Sequence, residues 1–279
     1  MVTMTKVFND LTQLLAQNPN ADPRLESQLL FEFVTGKPRR QQEADFAVTQ
    51  EQWEKLAELA QKRIEGYPIQ YILGKWQFFD LELLVGEGVL IPRCDTEAVC
   101  EEAFKIIGEM ENPNILDLCS GSGAIALAIK KRFPKATVAA LEKSDAAYEY
   151  LEKNIEYNRL TVLAIKGDVF LFDENIEDES FEVIISNPPY ISEKQMANLQ
   201  KEVTYEPKMA LFAADHGLRF YKFIAKNYRD KLKEKGYLIF EYGFDQQEWV
   251  KGILLDEGYR IVSEFKDLEG NNRGVVAQK

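Results

Sequence analysis

Apolar residues in the first part of the chain recur at the spacing of amphipathic helices, and this predicts three helices before about residue 65. A capping box opens the third, because Gln52 follows Thr49 by three positions. The residues predicted to be buried are, helix by helix, Val7, Leu11, Leu14 and Leu15; Leu25, Leu29, Leu30 and Phe33, ahead of Gly36; and Trp53, Leu56, Ala57, Ala60 and Ile64. The pattern indicates a small helical bundle.

The pattern changes to extended segments between Gly66 and Pro92. Segments 76–85 and 89–91 are separated by Gly86 and Gly88, which predicts a β-hairpin between two domains. We therefore predict a helical domain over 1–75, a hairpin linker over 76–92 and a catalytic domain over 93–279.

Strand and helix patterns alternate after Asn112, which is typical of an α/β domain with a parallel sheet and right-handed crossovers. The predicted strands are 115–119, 137–142, 162–166, 181–185, 237–242, 259–265 and 274–277. The predicted helices are 123–133, 145–159, one within 218–235 and one ending near Gly258. The fold class is thus a Rossmann-like α/β domain with an N-terminal helical bundle.

Composition narrows the classes of function. The net charge of −12 argues against a protein that holds long nucleic acid by neutralising phosphates, although an acidic chain can still contain a basic groove. His216 is the only histidine, which removes histidine-based triads and most zinc sites, so no metal is expected.

The cellular location is predicted from the cysteines and the hydropathy. The three cysteines form no C-x-x-C pair, and the chain shows no signal peptide, which favours reduced thiols in the cytoplasm. No apolar run is long enough to cross a bilayer, so no membrane partner is expected.

A glycine-containing loop links the first predicted strand to its helix. Its residues are Asp117, Leu118, Cys119, Ser120, Gly121, Ser122 and Gly123. The glycines let the backbone pass close to a ligand at the edge of the sheet. The loop lacks both the three-glycine dinucleotide pattern and the Gly-Lys-Ser/Thr ending of a phosphate loop.

Acidic residues end the next two strands. Glu142 lies about 20 residues beyond the loop, where α/β sheets place the carboxylate that binds both hydroxyls of a ribose. Asp168 ends the third strand, where it can meet an adenine amino group. Either acid alone would be a helix cap or a surface charge, but successive strand ends indicate a nucleoside site.

The tetrapeptide Asn187-Pro188-Pro189-Tyr190 follows the strand predicted over 181–185. Asn187 offers a side-chain carbonyl, Pro188 has a fixed φ and an outward carbonyl, and Tyr190 offers a flat packing surface. Such acceptors can direct both hydrogens of an amide or exocyclic amino group and orient its nitrogen toward an electrophile. With the glycine loop and the two acids, this set predicts S-adenosylmethionine-dependent N-methylation.

The chain resembles the bacterial release-factor glutamine methyltransferases, the PrmC or HemK family, over nearly its whole length. Besides N-P-P-Y, the resemblance rests on P-I-Q-Y-I-L-G at 68–74, L-I-P-R-C-D-T-E at 90–97, Y-E-P at 205–207, A-L-F-A-A-D at 210–215, E-Y-G at 241–243 and D-L-E-G-N-N-R at 267–273. It implies a class I methyltransferase fold.

The activity that the resemblance implies is methylation of the side-chain nitrogen (N5) of the glutamine in the Gly-Gly-Gln motif of peptide chain release factors, with S-adenosylhomocysteine as the other product. It places the cofactor on the loop from Cys119 to Gly123 with Asp117, the ribose on Glu142 and the adenine beside Asp168 and Val169. Asn187, Pro188, Pro189 and Tyr190 would hold the glutamine, with Asn187 also beside the cofactor. We expect a monomer that takes release factors as protein substrates.

Two departures from the family pattern are visible. Cys119 stands where a glycine is expected, and Cys94 stands where a proline is usual. Val169 occupies a position where an aromatic ring can stack on adenine, which leaves Phe170 or Phe172 as substitutes.

Two alternatives remain open. An exocyclic amino group of DNA adenine or ribosomal RNA presents the same two hydrogens, although such a target must be extruded and held by a basic surface. The second alternative is a non-catalytic cofactor-binding protein that docks on release factors. The intact Asn187 and Tyr190 argue against it.

Overall fold

A computed structural model describes residues 2–42 and 46–279 of the chain. The chain forms two compact units. The helical unit comprises Met1–Lys75 and Gln200–Tyr205, and the sheet unit comprises Trp76–Leu199 and Glu206–Lys279. No helix in the described ranges is long and apolar enough to cross a membrane.

The helical unit is built on three helices that pack on one another. Its elements are β1 (Val2–Thr3), α1 (Met4–Leu15), α2 (Pro23–Thr35), a 3-10 turn (Arg39–Gln41), β2 (Ala47–Val48), α3 (Gln50–Ile64), α4 (Ile69–Leu73) and a second 3-10 turn (Lys201–Tyr205). The capping box predicted at Thr49 and Gln52 is confirmed. Gly36 ends α2 in the left-handed conformation that glycine adopts most readily.

The buried face of α2 differs from the prediction. Leu25 and Phe33 are 50% and 46% exposed, whereas the buried residues of this helix are Glu26, Ser27, Leu30 and Phe31. Phe31 packs its ring 4.9 Å from that of Phe8. A polar contact of Glu26 requires that this residue be buried, so α2 buries a different face from the one that its leucines predicted.

That polar contact is a buried ion cluster around Arg63 of α3. The guanidinium donates to both carboxylate oxygens of Glu26 at 2.8 and 3.0 Å. A third pairing, at 2.8 Å, joins it to Glu202 in the 200–205 segment. The Arg63 side chain is 2% exposed. This cluster binds together the two stretches of sequence that form the helical unit.

The sheet unit contains the remaining elements. In chain order they are β3 (Lys75–Phe78, beginning at the boundary), β4 (Leu81–Leu84), α5 (Asp95–Ile107), β5 (Asn114–Leu118), α6 (Ala124–Arg132), β6 (Thr137–Glu142), α7 (Asp145–Asn158), β7 (Leu163–Lys166), α8 (Val169–Phe172), a 3-10 turn (Asp173–Asn175), β8 (Phe181–Ser186), α9 (Glu193–Met196), α10 (Lys208–Leu211), α11 (Arg219–Asn227), β9 (Leu232–Glu241), α12 (Gln247–Asp256), β10 (Arg260–Lys266) and β11 (Asn272–Gln278).

Seven strands form one sheet in the order β10-β11-β9-β8-β5-β6-β7. The central strands are parallel, as predicted, while β11 runs antiparallel to both β9 and β10. Successive residues of each central strand point to opposite faces, so Ile115 and Leu116 belong to different hydrophobic cores. Helices cover both faces, which confirms the Rossmann-like α/β class.

The hairpin lies earlier than predicted. Both of its strands, β3 and β4, fall within or beside the first predicted segment, and residues 89–91 form no strand. The reversal occurs at Phe79, whose φ of 50° is left-handed and whose N–H donates to the Glu97 carboxylate at 2.8 Å. A side-chain interaction, which hydropathy does not reveal, therefore fixes this turn.

The hairpin packs into the sheet unit. Phe78, Leu81 and Leu83 are buried in the same core as α5 and α6. The fully buried Asn154 of α7 accepts from Leu84 N–H and donates to the carbonyls of Leu84 and Ser122. One side chain thus connects β4 with the glycine loop.

Helix α5 was not predicted. Its residues Val99, Cys100, Ala103 and Ile107 are buried against the sheet at helical spacing. The helix follows the L-I-P-R segment directly and begins at Asp95, so its first turn carries Asp95, Thr96 and Glu97.

Candidate active site

A cavity opens where the strand order reverses, between β5 and β8. Strand β5 pairs with β6 on one side and with β8 on the other, which is the topological switch point where open α/β sheets bind ligands. The cavity is lined by residues at or after the carboxyl ends of β5, β6, β7 and β8, together with some residues from the stretches 88–96 and 207–220.

The predicted glycine loop forms one wall. Cys119, Ser120, Gly121 and Ser122 line the cavity. Gly123 caps α6 with a φ of 84°, and a Cβ there would lie 2.5 Å from a methyl group of Leu151. Only glycine therefore fits at this position.

Cys119 has a φ of 62°, a left-handed conformation that is strained for a residue with a side chain by about 1–2 kcal/mol. This accounts for the glycine expected there. Burial raises the pKa of its thiol, so the thiol stays protonated on the cavity wall.

Asp117 lies one residue before the end of β5 and is not part of the cavity wall. It is 1% exposed, and its Oδ2 accepts the Ala126 N–H at 3.2 Å. Within the described residues its Oδ1 has no hydrogen-bond partner. Burial raises the pKa of this carboxyl to about 8. Asp117, expected beside the cofactor, therefore lies behind the glycine loop and is mostly protonated at neutral pH.

Glu142 and Asp168 both line the cavity, as the strand-end argument predicted. The Glu142 carboxylate accepts the N–H of Gly121 at 2.8 Å and that of Ser144 at 2.6 Å. Asp168 accepts the Phe170 N–H at 3.1 Å and pairs with Lys143 at 2.7 Å. Each acid is thus fixed by backbone donors, with lone pairs left for a ligand.

The wall beyond Asp168 is apolar. Val169 and Phe170 line the cavity, whereas Phe172 does not. Phe220 of α11 joins them, with its ring 4.8 Å from that of Phe170. Sequence reasoning missed Phe220, because nothing in the chain linked α11 to the cavity.

The N-P-P-Y segment follows β8 directly. Asn187 and Pro189 line the cavity, whereas Pro188 and Tyr190 do not. The Asn187 Nδ2 donates to the Thr96 hydroxyl at 3.2 Å, and within the described part of the chain its Oδ1 accepts no hydrogen bond. Tyr190 is half-buried, and burial raises the pKa of its phenol. Its backbone carbonyl accepts from Gln246 at 3.0 Å.

Four residues of the L-I-P-R-C-D-T-E segment also line the cavity, namely the apolar Leu90 and Pro92 and the polar Arg93 and Thr96. Arg93 forms an ion pair with the buried Glu206, which also accepts the Ile91 N–H at 3.1 Å. The sequence offered a signal for Arg93 and Thr96, since their segment contributed to the resemblance. The resemblance assigned neither residue a role.

The residues present fit S-adenosylmethionine. A glycine loop that carries no charge, a carboxylate at the end of β6 and an apolar wall beyond β7 match a nucleoside bearing a short cationic chain. Glu142 would hold the ribose, Asp168, Val169 and Phe170 the adenine, and the loop the methionine end.

Two family models match the chain. Residues 6–74 match the PrmC N-terminal domain, and residues 103–214 match the methyltransferase small domain. Among solved structures, a methyltransferase from Pyrococcus furiosus superposes with a TM-score of 0.54 at 19% identity over 72% of this chain and 90% of that one. That likeness concerns the fold alone.

Curated relatives cover nearly the whole chain. A release factor glutamine methyltransferase from Fusobacterium nucleatum is 36% identical over 98% of this chain and 78% of its own length. One of the same name from Coxiella burnetii is 34% identical over the full length of both. The chain belongs to the release factor glutamine methyltransferase family.

Proposed function

We propose that this enzyme transfers a methyl group from S-adenosylmethionine to the side-chain amide nitrogen of a glutamine in peptide chain release factors. The observation that carries the proposal is the state of Asn187. Its amide is fixed through Nδ2, lies on the cavity wall and keeps its Oδ1 free to accept from a ligand.

A glutamine amide matches that acceptor. Its nitrogen is a weak nucleophile because the lone pair is delocalised, so the protein must direct both hydrogens and leave the lone pair facing the methyl donor. Asn187 Oδ1 would accept one hydrogen, and Pro189 would shape the slot beside it, since these two residues of the segment line the cavity. When bound, S-adenosylmethionine supplies an electrophilic methyl group on a sulfonium. The contribution of the protein is position and electrostatics.

The chemistry asks for little acid–base catalysis. The amide proton becomes acidic once the nitrogen carries the methyl group, and it can then leave to solvent. The apolar residues Leu90, Val169 and Phe220 help keep water from the cavity before transfer.

The two alternatives are less well supported. The relatives are named for release factor glutamine, and the net charge of −12 opposes a nucleic-acid substrate. A non-catalytic binding protein would not need an oriented Asn187. We assign recognition of the protein substrate to the helical domain predicted over 1–75, because it carries no catalytic group, and we propose that the enzyme acts as a monomer.

Replacement of Asn187 tests the proposal. We expect Asn187→Ala to lower kcat roughly 100-fold or more, by analogy with loss of one oriented transition-state hydrogen bond. Asn187→Asp keeps the shape but places a negative charge beside the substrate amide, so it should be at least as damaging. Methyl transfer to a purified release factor would be followed with labelled cofactor, and the cofactor Kd by calorimetry.

The site of methylation provides the decisive control. Release factor, total RNA and DNA would be offered together, and mass spectrometry would locate the label. A methyl group on a nucleobase and none on glutamine would contradict the proposal. A near wild-type rate for Asn187→Ala at saturating cofactor would contradict the role of Asn187.

A further inference from the structure

Several family segments without an assigned role meet around Asn187. The 90–97 segment contributes Thr96, the E-Y-G segment contributes Glu241, and the 267–273 segment contributes Arg273. Glu241 ends β9, and it lies beside Gly274 of β11 in the sheet. Strand pairing thus brings residues far apart in sequence to the edge where N-P-P-Y begins.

A chain of two hydrogen bonds joins three of these side chains. Asn187 Nδ2 donates to Thr96 Oγ1 at 3.2 Å, and Thr96 Oγ1 donates to Glu241 Oε2 at 2.7 Å. Thr96 is 4% exposed and Glu241 is 1% exposed. Water therefore has little access to compete for the bond between Thr96 and Glu241.

The direction of the bonds follows from the number of hydrogens. A threonine hydroxyl has one hydrogen, and an ionised carboxylate can only accept. While Glu241 takes that hydrogen, Thr96 can only accept from Asn187. The Asn187 amide must then turn its Nδ2 to Thr96, which leaves Oδ1 for the cavity. Reversal of the amide would set two oxygen acceptors against each other.

We propose that Glu241 and Thr96 are positioning residues that hold the Asn187 amide in the single orientation able to accept from the substrate. The inference rests on the proposed function, since it assigns the purpose of that orientation to the amide that is methylated. Neither residue has to touch the reacting nitrogen.

The surroundings of Glu241 argue against a purely structural role. A buried carboxylate that stabilises a fold is normally held by a cation. Within the described residues, no ion pair reaches Glu241, and Arg273 instead pairs with Asp95 and Asp267 at 3.1 and 2.8 Å. Only the Thr96 hydroxyl donates to the Glu241 carboxylate in the part that the structure describes.

Burial raises the pKa of Glu241 to about 7, against the lowering effect of the Thr96 hydrogen bond. The nearby charges act in both directions: Arg273 and Arg93 favour the ionised carboxylate, and Asp95 opposes it. Cys100, Tyr190 and Tyr221 are titratable groups whose own pKa values this carboxylate raises. Protonated Glu241 could donate to Thr96, which would free the hydroxyl hydrogen to turn toward Asn187. Since the pKa is raised, this happens as the pH falls through about 7.

The test compares four variants of the whole protein. Glu241→Gln can donate to Thr96, and Thr96→Val removes the hydroxyl while keeping the shape. Both should lower kcat about 10- to 100-fold, by analogy with the loss of a group that orients a metal ligand. The KM for release factor and the cofactor Kd should stay within about twofold, because orientation acts on turnover rather than on binding. Thr96→Ser should restore most of the rate.

Tyr221→Phe is the matched control. Its hydroxyl is buried and donates to the backbone carbonyl of Glu241 at 3.0 Å, outside the chain of bonds. We expect it to lower thermal stability without lowering kcat. Wild-type kcat should decline below about pH 7, and this decline should be absent in Glu241→Gln.

The outcomes separate the two proposals. A wild-type enzyme that methylates no release factor would refute the proposed function, whatever the variants do. An active wild type with unchanged kcat in Thr96→Val would refute the positioning role. An equal loss of kcat in Thr96→Ser and Thr96→Val would also refute the positioning role. If Glu241→Gln does not fold, the two Thr96 variants decide alone.

Discussion

Among single residues, Glu142 has two roles. Its carboxylate already holds the N–H groups of Gly121 and Ser144, and it is 8% exposed on the cavity wall. The same side chain therefore shapes the glycine loop and offers its remaining lone pairs to a ribose. Cofactor affinity and loop geometry depend on one carboxylate.

This arrangement predicts the behaviour of Glu142 variants. Glu142→Ala should weaken binding of S-adenosylmethionine by about 1–3 kcal/mol, because hydroxyls of the ligand lose their acceptor. Glu142→Gln keeps one acceptor oxygen and should lose less. Calorimetric titration with the cofactor and with S-adenosylhomocysteine measures both.

Glu149→Ala is a suitable control, since Glu149 lies on the exposed side of α7 and, within the described residues, forms its one ion pair with Lys153 at 3.4 Å. Unchanged affinity in Glu142→Ala would remove this residue from the cofactor site. A loss of similar size in Glu149→Ala would show that the effect is a general one of charge.

The sequence predicts well those residues whose position follows from a strand end. Glu142, Asp168 and Asn187 line one cavity because parallel strands end at the same edge. It could not assign roles to Thr96 and Glu241, since they meet through one hydroxyl across 145 positions. Pro188 and Tyr190, expected at the cavity, lie behind its wall, because side-chain direction depends on the loop conformation.

At the level of elements, the Arg63 cluster decides how α2 and α3 pack. Removal of one partner from a buried ion pair leaves an uncompensated charge. We expect Arg63→Met to lower the free energy of unfolding by about 3–5 kcal/mol, because Glu26 and Glu202 would both lose their cation. Thermal and urea unfolding would measure the loss, and hydrogen exchange would show weaker protection over 201–205.

Lys62→Met on the same turn is the control. Lys62 pairs with Glu58 at 3.0 Å on the surface, with its side chain 51% exposed, so its loss should cost at most about 1 kcal/mol. Equal stability of the two variants would contradict the importance of the buried cluster.

The elements that were predicted best carry a strong local signal. The strand Thr137–Glu142 and the start of α7 at Asp145 have the predicted bounds, because apolar runs and the Ser144 cap mark them. The predicted position of the hairpin and the predicted buried face of α2 were both wrong. Contacts with Glu97 and with Arg63, which lie in distant parts of the chain, determine them. Strand β9 begins at Leu232, before the predicted start, and runs through the left-handed Lys235.

For the molecule as a whole, the charge of −12 limits the possible partners. We expect no measurable binding to a labelled RNA hairpin or DNA duplex by fluorescence anisotropy at physiological salt, because binding to phosphates requires a basic face. Lowering the salt concentration should increase binding to RNA or DNA only slightly. A release factor of matched concentration serves as the positive control. Micromolar binding that weakens steeply with salt would contradict this prediction.

The helical unit consists of two stretches that are far apart in sequence, with Arg63 in one and Glu202 in the other. The part of the chain that must be inherited as one unit therefore differs from the N-terminal domain that a linear domain map shows. A recombination event at residue 75 alone would bring a foreign residue opposite Glu202 and leave its partly buried charge without a cation. The 200–205 segment should be inherited together with the N-terminal helices, although it lies in the middle of the catalytic sequence.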